Sequence, residues 1–121
     1  MTTTVLYGIK NCDTVRKARR WLDEHGVNYR FHDFRADGID LGRLRAWADE
    51  LGWETLLNRR GTTWRKLPDE RRNGIDLDRA VELMLEQPAL IKRPVLDLGT
   101  QRMVGFDAAR YADLLGCRSN D

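Results

Sequence analysis

Residues 5–22, VLYGIKNCDTVRKARRWL, decide how the rest of the chain is understood. The stretch opens as a short apolar run and passes through Gly8 into a polar turn. From Cys12 it takes on helical spacing, with apolar residues at Val15, Ala18 and Leu22. A cysteine therefore stands where a strand ends and a helix begins. The first free backbone N–H groups of a helix carry roughly half a positive charge and favour an anion, so a thiol placed there gives up its proton more readily. That is the setting of a nucleophilic thiolate.

Working outward, residues 3–7 are β-branched and aromatic enough for a strand, and their near-continuous apolar character suits a place inside a sheet. The helix runs from Cys12 or Asp13 to about Glu24, with Gly26 as its stop and Arg16, Lys17, Arg19 and Arg20 as its solvated face. Residues 29–34, YRFHDF, alternate as a second strand with Tyr29, Phe31 and Asp33 on one side. A strand, helix and strand with a crossover of this length predict a parallel pair.

The sequence then changes character. Leu41, Leu44, Trp47, Ala48 and Leu51 mark an amphipathic helix ended by Gly52; shorter pieces, TLLNRR and TWRKLPDE, follow, and DLDRAVELMLEQP is a third long helix from Asp76. Residues 94–98 and 101–106 predict a hairpin around Gly99 and Thr100, and Asp107 caps a last helix that ends at Gly116. The expectation is an α/β fold with a mixed sheet of about four strands. It is one domain over 1–121, with a core of about 1–38 and 89–117 and a helical insert of about 39–88.

Composition narrows the function. Apolar residues make up 41% and charged residues 33% of the 121, with no apolar run of membrane-spanning length, which predicts a globular protein without a membrane partner. The opening MTTTVLYG lacks the pattern of a secretion signal, so the cytoplasm is the expected compartment. With 21 basic and 19 acidic side chains the net charge is +2, too near balance for a protein that binds nucleic acid directly. The cysteines, Cys12 and Cys117, are expected to be free thiols, and with His25 and His32 they form no metal site. The four tryptophans, spread through amphipathic segments, are expected to serve packing.

Three separated motifs, YGIKNCDTVRKARRWL, LLNRRGTTWRKL and LIKRPVLDLG, together resemble the family that joins glutathione-linked arsenate reductases (ArsC) with the Spx and YffB proteins, most closely the YffB branch. The resemblance covers nearly the whole chain and implies a thioredoxin-like sheet with a helical insert. It implies Cys12 as the nucleophile and Arg93 as an oxyanion-binding arginine. Arg60 is the best match for a second, with Arg59 as the other alignment. It also implies a proline at Pro94, usually cis and facing the nucleophile, with glutathione and glutaredoxin as partners that recycle the cysteine. Two positions depart from the arsenate reductases: Gly105 stands where a third arginine is expected, and Gly8 where a histidine precedes the cysteine.

Around Cys12, Lys10 and Arg16 add positive charge and Asp13 opposes them, while Asn11 belongs to the turn that presents the thiol. Thr14 can either donate its hydroxyl to the thiolate or cap the helix. Arginine suits a carboxylate or oxyanion because its planar fork makes two parallel hydrogen bonds. There is no C-x-x-C, so a local disulfide of the thioredoxin type is absent and the regulatory switch of those Spx proteins that carry one is disfavoured. Cys117, 105 residues on, has two readings, a thiol that resolves a mixed disulfide and a spectator, and the spectator is the one expected. The leading expectation is a glutathione-dependent thiol reductase acting on a small thiol, disulfide or oxyanion, with no tightly bound cofactor. The alternatives are an arsenate reductase and an Spx-like regulator that binds RNA polymerase.

Overall fold

The computed structural model describes residues 4–116, so Cys117 lies outside the described residues. One compact unit is built from Met1–Asp33 and Arg93–Asp121, and a second from Phe34–Lys92. The boundaries anticipated from the sequence, near 38/39 and 88/89, lie a few residues away from these.

The first unit is the sheet. Strand β1 (Val5–Gly8) leads to helix α1 (Asp13–Glu24) and strand β2 (Arg30–Asp33); β3 (Val95–Asp97), β4 (Arg102–Val104) and a C-terminal helix, Ala108–Leu115, complete it. The strand order is β2-β1-β3-β4. β1 pairs parallel with β2, and β3 runs antiparallel to both β1 and β4. The register aligns Phe31, Leu6, Leu96 and Met103 across one face. Ala18, Trp21 and Leu22 from α1, with Tyr111 and Ala112 from the C-terminal helix, close over that row as a single apolar cluster. Leu6, Leu22 and Leu96 are each 0% exposed, so truncating any of them to alanine is expected to cost about 2–5 kcal/mol. The strands are shorter than the apolar pattern implied, because Tyr29, Phe34 and Pro94 fall outside the paired residues.

The second unit is helical: α2 (Leu41–Leu51), α3 (Trp53–Leu56), α4 (Thr62–Arg65), α5 (Asp69–Arg72), α6 (Leu77–Glu86) and a 3-10 turn at Pro88–Leu90. The C-terminal helix is accordingly α7 (Ala108–Leu115). Leu44, Trp47, Leu56, Val81, Leu83 and Met84 are buried within this unit, and Phe34 meets Trp47 edge-on at 6.2 Å. The expectation of helix throughout is corrected at Leu57, which forms an antiparallel bridge with Ile91. The Lys92 N–H donates to the Leu56 carbonyl and the Asn58 N–H to that of Leu90, so the segment leaving α3 is satisfied as a strand.

The solvated face of α1 also needs correction. Arg19 is half-buried: its guanidinium lies 4.3 Å over the Phe31 ring and its Nε donates to the Tyr29 hydroxyl at 3.1 Å. Its stem covers apolar surface beside β2, which helical spacing alone does not reveal.

Candidate active site

Each of the other three long helices begins on an aspartate. Asp40 accepts the Arg43 N–H at 3.0 Å, Asp76 the Arg79 N–H at 2.9 Å, and Asp107 those of Ala109 and Arg110. Helix α1 begins instead on Cys12, extended at φ −113°, ψ 126°, whose carbonyl accepts the Arg16 N–H as an N-cap should. The amides that a carboxylate would otherwise cap are left to the sulfur. Cys12 is partly exposed, so the thiol is open to a reactant.

Burial pushes the Cys12 thiol up and is the largest single influence on it. The Val15 amide, the Arg93 guanidinium (both as a donor and as a charge) and the Thr14 amide together outweigh burial, and the thiol lies below its ordinary value. Arg93 reaches the sulfur from the start of β3. The Arg93–Pro94 bond is cis, and Pro94 stands one residue before Val95, which pairs with Tyr7 near the end of β1. The Pro94 carbonyl accepts the Gly105 N–H at 2.8 Å, and the Gly105 carbonyl accepts the Tyr111 hydroxyl at 3.2 Å. This chain of bonds ties the Arg93–Pro94 corner to β4 and α7.

The supporting residues act differently from the sequence expectation. The charges of Lys10 and Arg16 are not among the groups that set the Cys12 thiol; Arg16 pairs with Asp13, so those two charges answer each other beside the site. Thr14 contributes its backbone N–H. Lys10 contributes its backbone too, donating its N–H to Asp33 Oδ2 at 3.2 Å. Asn11 is exposed in the turn between Lys10 and Cys12.

One residue of the site was missed in the sequence, and another was noted only as a departure from the arsenate reductases. Asp33, 8% exposed at the end of β2, holds the turn that carries Cys12; the signal was a carboxylate on the otherwise apolar side of YRFHDF. The second is Gly8, where a Cβ would lie 2.7 Å from a γ carbon of Val15. A histidine in this place would collide with the first turn of α1. Gly105 has φ +87°, a conformation that an arginine adopts only with strain.

Arg60 belongs to the helical unit and is exposed. Its N–H is held by Asn58 Oδ1 at 3.1 Å and its carbonyl by Arg65 Nη2 at 2.9 Å, so its backbone is fixed. Arg59 instead lies 5.8 Å over the Trp53 ring. Among the described residues no group of three or more His, Cys, Asp or Glu could hold a metal ion, and no helix is long and apolar enough to cross a membrane.

Fold and site together define an α/β protein with a four-stranded mixed sheet and, among the described residues, a cysteine of lowered pKa at the start of its first helix. The chain belongs to the ArsC family, whose model matches residues 7–114. It is similar to the solved structure of a YffB protein, with 58% identity, 92% of this chain and 97% of that chain covered, and a TM-score of 0.90. An arsenate reductase related protein from Brucella melitensis is 49% identical, covers 93% of this chain and 94% of its own, and has a TM-score of 0.75. Among curated relatives, an uncharacterized protein of Haemophilus influenzae is 42% identical over 88% of this chain and 93% of its own. The global transcriptional regulator Spx of Listeria innocua is 27% identical over 84% and 79%.

Proposed function

We propose that this protein is a cytoplasmic, glutathione-dependent thiol reductase with Cys12 as its nucleophile and no bound cofactor. The observation that carries the reading is the convergence of the Arg93 guanidinium with the Val15 and Thr14 amides on the Cys12 sulfur. In the first step the Cys12 thiolate attacks the glutathionyl sulfur of a mixed disulfide, forming a Cys12–glutathione disulfide and releasing the other thiol, which takes up a proton. A second glutathione thiolate then attacks the glutathionyl sulfur, leaving oxidised glutathione and the Cys12 thiolate. One disulfide has been exchanged for another and the enzyme is unchanged. Arg93 serves twice, holding the attacking anion and later stabilising it as the leaving group. Pro94 shapes the backbone against which a bound thiol lies, Arg60 attracts a carboxylate of glutathione, and glutaredoxin is the candidate protein partner for the adduct.

An arsenate reductase is the second reading, supported by the ArsC family match and opposed by Gly8 and Gly105, neither of which can take the larger side chain without strain. A regulatory role in contact with RNA polymerase is the third, and it rests on the likeness to Spx proteins. Glutathione-dependent reduction of a small glutathionylated disulfide tests all three. The unaltered protein should turn over and Cys12→Ser should lose activity by on the order of 10³-fold or more. Turnover of arsenate in its place would move the assignment to the second reading. No turnover of either, with RNA polymerase co-purifying, would move it to the third.

A further inference from the structure

Gly8 is not one of the glycines with positive φ, so glycine is needed there for space and not for backbone freedom. A Cβ on Gly8 would lie 2.7 Å from one γ carbon of Val15 and 3.2 Å from the other, but 3.6 Å from its Cβ. Val15 cannot swing aside, because it is 0% exposed and a β-branched residue in a helix has one strongly preferred rotamer. The end of β1 and the first turn of α1 are thus in direct contact. Val15 is also the third residue of α1 after the Cys12 N-cap, and its amide is among the groups that lower the thiol.

We propose that Gly8 is a positioning residue for Cys12: by carrying no side chain it lets Val15 close on the strand, and this contact sets where the Val15 amide stands relative to the sulfur. The inference rests on the reading of Cys12 as the nucleophile and adds how its activation is built. The Thr14 amide lies in the same turn as Val15 and moves with it, while the remaining charged groups come from other contacts. Arg93 comes from the start of β3, Asp13 and Arg16 pair with each other, and the Asp33 carboxylate receives the Lys10 N–H.

The test is the pH profile of Cys12 alkylation by iodoacetamide in Gly8→Ala and in Gly8→Ala/Val15→Ala. The single variant must push Val15 and its amide outward, so its reactivity midpoint should rise and its neutral-pH rate fall by about tenfold. In the double variant the two Cβ atoms meet at an ordinary 3.6 Å, and the midpoint should return to that of the unaltered protein. A folded Gly8→Ala with an unchanged midpoint overturns the inference, as does a folded double variant whose midpoint stays high. Should Gly8→Ala fail to fold, the Val15 amide proton of the unaltered protein decides. Its NMR shift must follow the alkylation midpoint, and a shift that stays flat through it removes the link by which Gly8 acts. An ordinary midpoint in the unaltered protein would instead sink the nucleophile reading itself, so the two failures are distinct.

Discussion

The start of α1 and the helical unit treat their polar groups differently. In the helical unit, Asp40 and Asp76 cap the helices they introduce, and the pairs Arg45–Asp78, Arg71–Glu86 and Arg72–Asp69 satisfy one another on the surface. In the sheet unit, the start of α1 carries no such cap, and the Arg93 guanidinium is directed at a sulfur. The difference teaches how a site can be told from a surface. An exposed ion pair contributes at most about 1 kcal/mol and does no chemistry, whereas donors gathered on a partly buried thiol lower the pH at which it gives up its proton.

The comparison would break most visibly at Arg93. Arg93→Ala removes both a hydrogen bond and a charge from Cys12 and leaves the burial that pushes the thiol up. Its alkylation midpoint should therefore rise, with a loss of neutral-pH reactivity of about tenfold or more. Arg93→Lys keeps the charge but not the planar fork and should fall between. Rate–pH profiles with iodoacetamide check both; superimposable profiles for the three proteins would show that the guanidinium is as incidental to the sulfur as Arg71 is to the helical surface.

The outline of this difference was legible in the sequence, and its cause was not. Apolar spacing at Val15, Ala18 and Leu22 located α1, and its start put Cys12 at the N-cap. Asp76 and Asp107, which open two of the other long helices, were equally plain. What spacing could not supply were contacts made across the chain. Arg93, 81 residues beyond Cys12 (93 less 12), was singled out only by resemblance and by the proline that follows it. Asp33 meets Lys10 through a backbone amide 23 residues away, and a glycine required for packing, as Gly8 is, looks in a sequence like a glycine required for a turn. Lys10 and Arg16 mislead in the other direction: both charges are adjacent to the thiol in sequence, yet Lys10 tethers its loop through the backbone and Arg16 is taken by Asp13.

Arg60 sharpens the contrast from the helical side, since both arginines of RRGTTW are exposed but Arg59 lies over the Trp53 ring. Arg60→Ala should raise the KM for glutathione up to about fivefold, what an exposed ion pair supplies, and leave the alkylation profile of Cys12 unmoved. Arg59→Ala should do neither and cost about 0.5–1 kcal/mol of stability through the lost cation–π contact. Steady-state kinetics with both variants settles the choice, and a KM effect confined to Arg59→Ala would reverse it.

The smallest effect concerns the cap itself. If α1 lacks a capping aspartate because its amides serve the sulfur, Cys12→Asp should abolish reduction and yet stabilise the fold, by about 0.5 kcal/mol at acidic pH. The gain should depend on pH in a defined direction. A thiol whose folded pKa is depressed contributes stability above its unfolded pKa and loses it as pH falls through the folded value. Above that window the wild-type thiolate already supplies the anion that the amides favour, so the advantage of the carboxylate variant over the unaltered protein should shrink as pH rises toward the ordinary thiol range. Urea denaturation at a pH below and a pH above the alkylation midpoint measures it. A gain that does not vary with pH would mean that these amides do not distinguish thiol from thiolate, and Arg93 would then carry the activation alone.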